Sequence, residues 1–311
     1  MKIDMQGQVA IVTGAGRGIG RAIAISVAAR GARVLVNDYG GDVNGNPGDE
    51  QRAEAVAQEI RSAGGIAIAN STAVGPPESG RSITRHALAE FGRVDILINN
   101  AGVTLPGSID GAPQDDIERV IDINFWGTFN LIRAVWPVMT EQRFGRIVNV
   151  SSNAALGGYA GFASYSASKA GILGLTAAAA TEGRESGILV NVIVPVAFTR
   201  MAGDDLAAPG SEFAQWLRQY FSPEHIAPVV AYLVSRRTTF SGEAFCVGGG
   251  RVSRLVHANN DGYFAADLTP ELVAEHIDEI RDVSRTALVL SGTEDTQRYT
   301  VVLPYPPKKS T

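Results

Sequence analysis

The 311-residue sequence holds one cysteine, Cys246. No disulfide can form within the chain, and a lone thiol fits a reducing compartment. Histidine is also scarce: His86, His225, His257 and His276 are the only four, and they fall into no metal-ligand spacing. No metal is expected. No run reaches the roughly 20 apolar residues of a membrane span. Met1–Val12 has a short apolar stretch but lacks the basic and small-residue sections of a secretion signal. Neither sign of charge dominates, since 27 basic against 32 acidic side chains leave a net charge of −5. A nucleic-acid binder usually carries a basic excess on one face. The expectation is a cytoplasmic protein with neither a membrane nor a nucleic-acid partner.

What the chain does have is glycine, 35 residues clustered in loops without a period. Between these loops, short runs of Val, Ile and Leu alternate with longer helical patterns. Strands are predicted at Val9–Thr13, Arg33–Asn37, Ile66–Ala69, Val94–Asn99, Arg146–Ser151, Leu189–Val194 and Glu243–Val247. Helices are predicted at Gly20–Arg30, Gln51–Ala63, Ser79–Phe91, Ile117–Glu141, Ser164–Glu185 and Pro223–Val234. The strands are continuous apolar runs without alternation, the pattern of parallel strands covered on both faces. Repeated β-α units predict an α/β fold with a doubly wound parallel sheet of the Rossmann type. Residues 1–250 read as a dinucleotide-binding catalytic domain and 251–311 as a C-terminal extension. In the extension, Val252–Ala258 and Tyr263–Ala265 flank Asn259-Asn260-Asp261-Gly262 and read as a hairpin. Thr269-Pro270-Glu271 opens a helix to about Val283, with Thr as N-cap and Pro at the first position. The tail from Pro304 reads as loose.

The first strand runs into Thr13-Gly14-Ala15-Gly16-Arg17-Gly18-Ile19-Gly20, and a helix follows. Glycines at a strand-to-helix junction allow a sharp turn and a close approach to a pyrophosphate, which rests on the helix N-terminus. This makes a dinucleotide site. Tyr165 and Lys169 lie four apart on one predicted helix and share a face. An ammonium near a phenol favours the phenolate and lowers its pKa, so Tyr165 is expected to exchange a proton with a substrate oxygen near neutral pH. The helix is rich in small residues (Ala163, Ala167, Ala170, Gly171), which suggests that it is largely buried.

The glycine spacing T-G-x-x-x-G-x-G resembles that of the short-chain dehydrogenase/reductase family. Asn99-Asn100-Ala101-Gly102 is similar to its N-N-A-G, and Tyr165-Ser166-Ala167-Ser168-Lys169 to its Y-x-x-x-K. Ser152 and Asn124 stand where its catalytic serine and asparagine stand. The likeness covers about Gly7 to Gly250. It implies a catalytic set of Asn124, Ser152, Tyr165 and Lys169. Ser152 would orient the substrate oxygen, Lys169 would hold the nicotinamide ribose, and Asn124 would hold a water linking that lysine to solvent. The implied cofactor contacts are Gly14, Gly16, Arg17, Gly18, Ile19, Gly20, Asp38, Thr72, Ala73, Asn100, Ala101, Gly102, Tyr165, Lys169, Pro195 and Thr199. Asp38, ending the second strand, would accept hydrogen bonds from the adenosine ribose and repel a 2′-phosphate, which argues for NAD. Arg17 argues the other way, because a basic residue there often pairs with the 2′-phosphate of NADP. Two departures stand out. No acid ends the third strand, so adenine contact passes to Thr72–Ala73, and Pro195-Val196 replaces the family's Pro-Gly.

Within the family, Asn37–Asp42, Ala227–Val230, Gly242–Gly248 and Leu268–Glu271 resemble the (3R)-hydroxyacyl-CoA dehydrogenase part of peroxisomal multifunctional enzyme type 2 and its bacterial relatives. The resemblance implies an NAD(H)-dependent oxidoreductase acting on a secondary alcohol or ketone, with a 3-hydroxyacyl-CoA as small-molecule substrate. A hydroxysteroid or other bulky alcohol is the alternative, and a non-catalytic NAD(P)-sensing protein a third reading. The helices Ile117–Glu141 and Ser164–Glu185 carry apolar residues on more than one face, and family members pair them across a two-fold axis. A homodimer or homotetramer is therefore expected.

Overall fold

The computed structural model describes residues 2–42, 44–46, 48, 51–199, 211–289 and 295–296. The expected loose tail, Pro304–Thr311, and residues 200–210 of the segment Ala197–Ser222, which reads from the sequence as flexible with a short helix, lie outside these residues. The chain divides into two compact units, Met1–Arg254 and Leu255–Thr311.

The first unit is built on strands β1 (Val9–Thr13), β2 (Arg33–Asn37), β3 (Ile66–Asn70), β4 (Ile96–Asn99), β5 (Gly145–Val150), β6 (Ile188–Pro195), β7 (Ala244–Gly248) and β8 (Arg251–Leu255). Their order in the sheet is β3-β2-β1-β4-β5-β6-β7-β8. The paired strands from β3 through to β7 run parallel. Val9 to Val12 and Ile96 to Ile98 are inaccessible to solvent, as unalternating apolar runs require. Alternate residues serve opposite faces. Ala10 and Val12 pack under helices α1 (Gly18–Ala28) and α2 (Arg52–Ser62), while Ile11 joins the layer under α3 (Pro77–Phe91) and the long helices beyond it. The β7–β8 connection is the two-residue turn Gly249-Gly250, with φ +54° and +80°. Both values lie in the left-handed region that a type I′ turn requires and glycine tolerates.

The predicted helix Ile117–Glu141 is three pieces: α4 (Gln114–Ile121), a π-helical turn (Asp122–Trp126) and α5 (Gly127–Gln142). The wider turn shifts the helix register and aims Asn124 fully inward. After α6 (Ala154–Gly157) comes α7 (Ala163–Gly183). Its burial is one-sided, contrary to expectation: Ser168, Lys169, Ile172 and Thr176 are buried, whereas Ala163, Ala167, Ala170, Gly174 and Ala177 are exposed. Small residues leave room for a neighbour as readily as they fill a core. Then α8 (Glu212–Tyr220) and α9 (Ala227–Leu233) follow, the latter preceded by a 3-10 turn at Pro223–His225.

In the second unit, β9 (His257–Asn260) pairs antiparallel with β10 (Thr286–Val289). The expected hairpin across Asn259–Gly262 does not form. Asn260 Nδ2 instead donates to the carbonyls of Ile280 and Asp282, which draws in the more distant strand. Thr269 caps its helix as expected, accepting from Leu272 N–H at 3.3 Å. That helix breaks at His276, between Pro270–Glu275 and Ile277–Arg281, and the His276 ring stacks on Tyr263 at 3.8 Å. Among the described residues no helix is long and apolar enough to cross a membrane.

The α3–α5 contact depends on Gly80, where a methyl group would lie 2.6 Å from the Asn130 carbonyl oxygen. Forcing a group into packed backbone costs typically 1–3 kcal/mol. Gly80→Ala is expected to lower the melting temperature by at least a few degrees, read by differential scanning calorimetry, while leaving dinucleotide affinity intact. An unchanged melting temperature would show that the two helices can part freely.

Candidate active site

Strand order reverses between β1 and β4, because β2 and β3 extend to one side of β1 and β5 onward to the other. A crevice opens beyond the carboxyl ends of the strands at such a point. Here it is a cavity of about 490 Å³. Fifteen of the residues singled out from the sequence line it: Gly14, Arg17, Gly18, Ile19, Asp38, Thr72, Ala73, Asn100, Ala101, Gly102, Ser152, Tyr165, Lys169, Pro195 and Thr199. Gly16, Gly20 and Asn124 are absent from its walls, and each supports a neighbour instead.

The glycine loop is held against the end of β4. Asn100 Nδ2 donates to the carbonyls of Thr13 and Gly14, both at 3.0 Å, and Thr13 Oγ1 accepts from the N–H groups of Asn100 and Ala101. Gly14 has φ +60°, and a side chain there would meet the Ala101 Cα at 2.8 Å. A Cβ on Gly20 would meet the Gly14 carbonyl oxygen at 2.2 Å. The free space these glycines leave is what lets a backbone cradle approach a phosphate.

Asp38 is nearly buried and uses both carboxylate oxygens: Oδ2 accepts from Gly16 N–H and Oδ1 from Gly40 N–H, each at 2.7 Å. The acid therefore ties the glycine loop to the end of β2 as well as facing the cavity. The Arg17 guanidinium donates to the Gly41 carbonyl, which Arg52 also contacts at 3.0 Å. Thr72 is fixed by Asn70 Oδ1, which accepts from its N–H, and by Asn37 Nδ2, which donates to its carbonyl.

At the other end of the cavity stand Ser152, Tyr165 and Lys169. Lys169 is buried, its Nζ donating to the Val150 carbonyl at 2.9 Å. Burial disfavours the charged ammonium and pushes its pKa down to about 8. The Tyr165 pKa is displaced upward, opposite to the expectation. Burial of its hydroxyl end outweighs the opposing hydrogen bond with Ser152, and Tyr159 adds to the rise. The lysine does not reverse this: its Nζ lies 5.7 Å from the Tyr165 ring centroid and is turned to Val150. In this state the phenol is a proton donor.

Asn124 lies one layer below. Its side chain bonds both ways with the Val103 backbone, at 2.8 and 3.0 Å, and donates to Ser168 Oγ at 3.1 Å. Its own carbonyl accepts from Thr128 Oγ1 at 2.8 Å. The asparagine thus joins the loop after β4 to α7 beside Lys169, and Gly102 gives room for both: a Cβ there would lie 3.1 Å from Asn124 Oδ1 and 3.3 Å from Lys169 Nζ. Wall residues that sequence reasoning missed include Asn153, Tyr159 and Phe162, between the serine and tyrosine, and Leu217 on α8. Adjacency to Ser152 was the only signal for Asn153. Among the described residues no group of three His, Cys, Asp or Glu side chains could hold a metal ion.

The short chain dehydrogenase family model matches residues 8–207. The peroxisomal hydratase-dehydrogenase-epimerase of Saccharomyces cerevisiae is 38% identical over 90% of this chain and 31% of its own length. The 3-oxoacyl-[acyl-carrier-protein] reductase of Synechocystis is 37% identical over 79% of this chain and 97% of its own. The structure of full-length peroxisomal multifunctional enzyme type 2 from Drosophila melanogaster superposes with a TM-score of 0.79 at 29% identity, covering 97% of this chain and 50% of that one. The chain thus spans about a third of the yeast relative and half of the fly structure.

The buried ammonium has a stability consequence. Lys169 has a lower pKa in the folded chain, about 8, than its ordinary 10.5. Below pH 8 the folded state holds a charge at a cost; between pH 8 and 10.5 the unfolded state binds more protons, so stability rises with pH there. Lys169→Met should therefore melt above wild type at pH 7 without ligand, and the gap should close between pH 8 and 10.5. A gap that stays constant across that window contradicts a desolvated ammonium.

Proposed function

The chain belongs to the short chain dehydrogenase family, and from that premise we propose that it is an NAD(H)-dependent oxidoreductase interconverting a secondary alcohol and a ketone, its substrate a 3-hydroxyacyl-CoA. The observation that carries this reading is the convergence of Ser152, Tyr165 and Lys169 on the cavity that the glycine loop and Asp38 line at its other end. The residues fit a dinucleotide: an open glycine cradle, an acid at the end of β2, and a lysine beside Gly102. Gly14, Gly18 and Ile19 would receive the pyrophosphate, Asp38 the adenosine ribose, Thr72 and Ala73 the adenine, Lys169 and Tyr165 the second ribose, and Pro195 and Thr199 the carboxamide end. When bound, the nicotinamide supplies or accepts the hydride.

Tyr165 donates the proton to the substrate oxygen in ketone reduction and receives it in alcohol oxidation. Its raised pKa suits the donor role in the free protein; oxidation requires added positive charge beside the phenol to favour the phenolate. Ser152 orients the same oxygen. Lys169 supplies a nearby charge and a further proton site, and Asn124 keeps the lysine's surroundings in place through Val103 and Ser168.

The acyl-CoA assignment rests on the relatives' names and on the match of this chain to one section of them. A hydroxysteroid or other bulky alcohol is the second reading, favoured by the aromatic wall of Tyr159, Phe162 and Phe213. A sensor without catalysis finds less support, since all four catalytic positions are filled. The exposed small-residue face of α7 and the half-exposed Trp126 support association into a homodimer or homotetramer through these helices. Cytoplasmic placement rests on the single cysteine.

Three outcomes follow. Tyr165→Phe keeps the ring and removes the proton; turnover should fall by at least about 10²-fold while NADH affinity survives, and near-normal turnover would remove the tyrosine from its role. In kcat/KM, NAD should exceed NADP, because Asp38 would face the ribose and Arg17 is held by Gly41; the reverse preference would mean that Arg17 swings free. Light scattering at micromolar concentration should give a dimer or larger, and a monomer contradicts the α7 interface.

A further inference from the structure

Asn153 directly follows the serine and lines the cavity. Ser152 Oγ donates to Asn153 Oδ1 at 3.2 Å and accepts from Ala154 N–H at 3.2 Å. A hydroxyl has one proton and two lone pairs. Ala154 N–H takes one lone pair, and the serine proton is aimed at the Asn153 carbonyl oxygen. The amide thus lies with its oxygen toward Ser152 and its nitrogen on the opposite branch. That nitrogen carries two donor hydrogens and makes no hydrogen bond among the described residues. Tyr159, Phe162 and Ala197 line the same cavity, where a ligand that displaces water would become the amide's partner.

A simple ketone has one oxygen, which Tyr165 and Ser152 claim. An acceptor for the Asn153 amide must be a second oxygen, and because Asn153 adjoins Ser152 it must lie within a few atoms of the reacting carbon. A 3-oxoacyl thioester has such an oxygen, its thioester carbonyl, two carbons along. We infer that Asn153 is a specificity-determining residue whose amide N–H donates to the thioester carbonyl while the reacting oxygen sits at Ser152 and Tyr165. When the substrate enters, the serine proton turns from Asn153 Oδ1 to the reacting oxygen, and the amide becomes held from its nitrogen end. This rests on the acyl-thioester reading above and adds the residue that tells such a substrate from an alcohol or ketone with one oxygen.

The test uses a matched pair: acetoacetyl-CoA and its thioether analogue, in which CH2 replaces the thioester carbonyl. Both keep the reacting ketone and the CoA group. The ratio of their kcat/KM values is measured with NADH for wild type, Asn153→Asp and Asn153→Ala. Asn153→Asp keeps an oxygen for Ser152 and replaces the donor by a second acceptor; Asn153→Ala removes both. The ratio should favour the thioester in wild type and fall at least tenfold in each variant, mainly through KM for the thioester. Parallel losses on both compounds, with the ratio unchanged, would show that Asn153 acts only through Ser152 and overturn the inference while leaving the acyl-thioester reading standing. Wild type that reduces the thioether but not acetoacetyl-CoA, or that reduces neither, overturns that reading and the inference with it.

Discussion

The burial of the Lys169 ammonium is the constraint around which the site is organised. Taking a cation out of water is costly unless it gains partners, and in the free protein this one has the Val150 carbonyl at the end of β5. Its surroundings are tied together by hydrogen bonds. Ser151 Oγ donates to the Lys169 carbonyl at 2.7 Å, Asn124 joins Ser168 to the loop after β4, and Gly102 leaves the space that a side chain would fill. Such an ammonium is destabilised in its charged form and placed where an electron-rich ligand or a developing phenolate would relieve it.

That arrangement is possible because the parallel sheet delivers its carboxyl ends to one edge. The ends of β1, β2 and β4 bring the glycine loop, Asp38 and Asn99–Gly102 together, and the ends of β5 and β6 bring Ser152 and Pro195. Hydrogen bonds then lock neighbours: Thr13 to Asn100, Asp38 to Gly16, Asn37 to Asn70 and Thr72. Several motif residues serve these locks first. Asn100 holds loop carbonyls and Asp38 holds loop N–H groups, so the shape of the dinucleotide cradle exists before any ligand arrives.

Much of this was legible in the chain itself. Unalternating Val and Ile runs announce buried parallel strands, and the glycines at the first strand-to-helix junction announce a close backbone approach. Other features were hidden because they depend on packing. A small-residue helix reads the same whether its far face meets the core or is left open, so the exposure of Ala163, Ala167 and Ala170 could not be read. Four-residue spacing places Lys169 beside Tyr165 but does not say where the ammonium points; it points to Val150, and burial then moves the phenol in the opposite direction to the one expected. The π-helical turn at Asp122–Trp126 has no residue signature, and β9 finds its partner across two short helices because Asn260 bonds to distant carbonyls. Asn153 belongs to no motif and was invisible until its bond to Ser152 was in view.

In the proposed reaction, hydride passes between a nicotinamide and a 3-oxoacyl carbon in this cavity. The direct measurement is to incubate the protein with NADH carrying two deuterium atoms at C4 of the nicotinamide, together with acetoacetyl-CoA, and to determine the product mass. The expected product is 3-hydroxybutyryl-CoA carrying one deuterium on the carbinol carbon. Unlabelled product, or none at any concentration of an otherwise folded and NADH-binding protein, would contradict it.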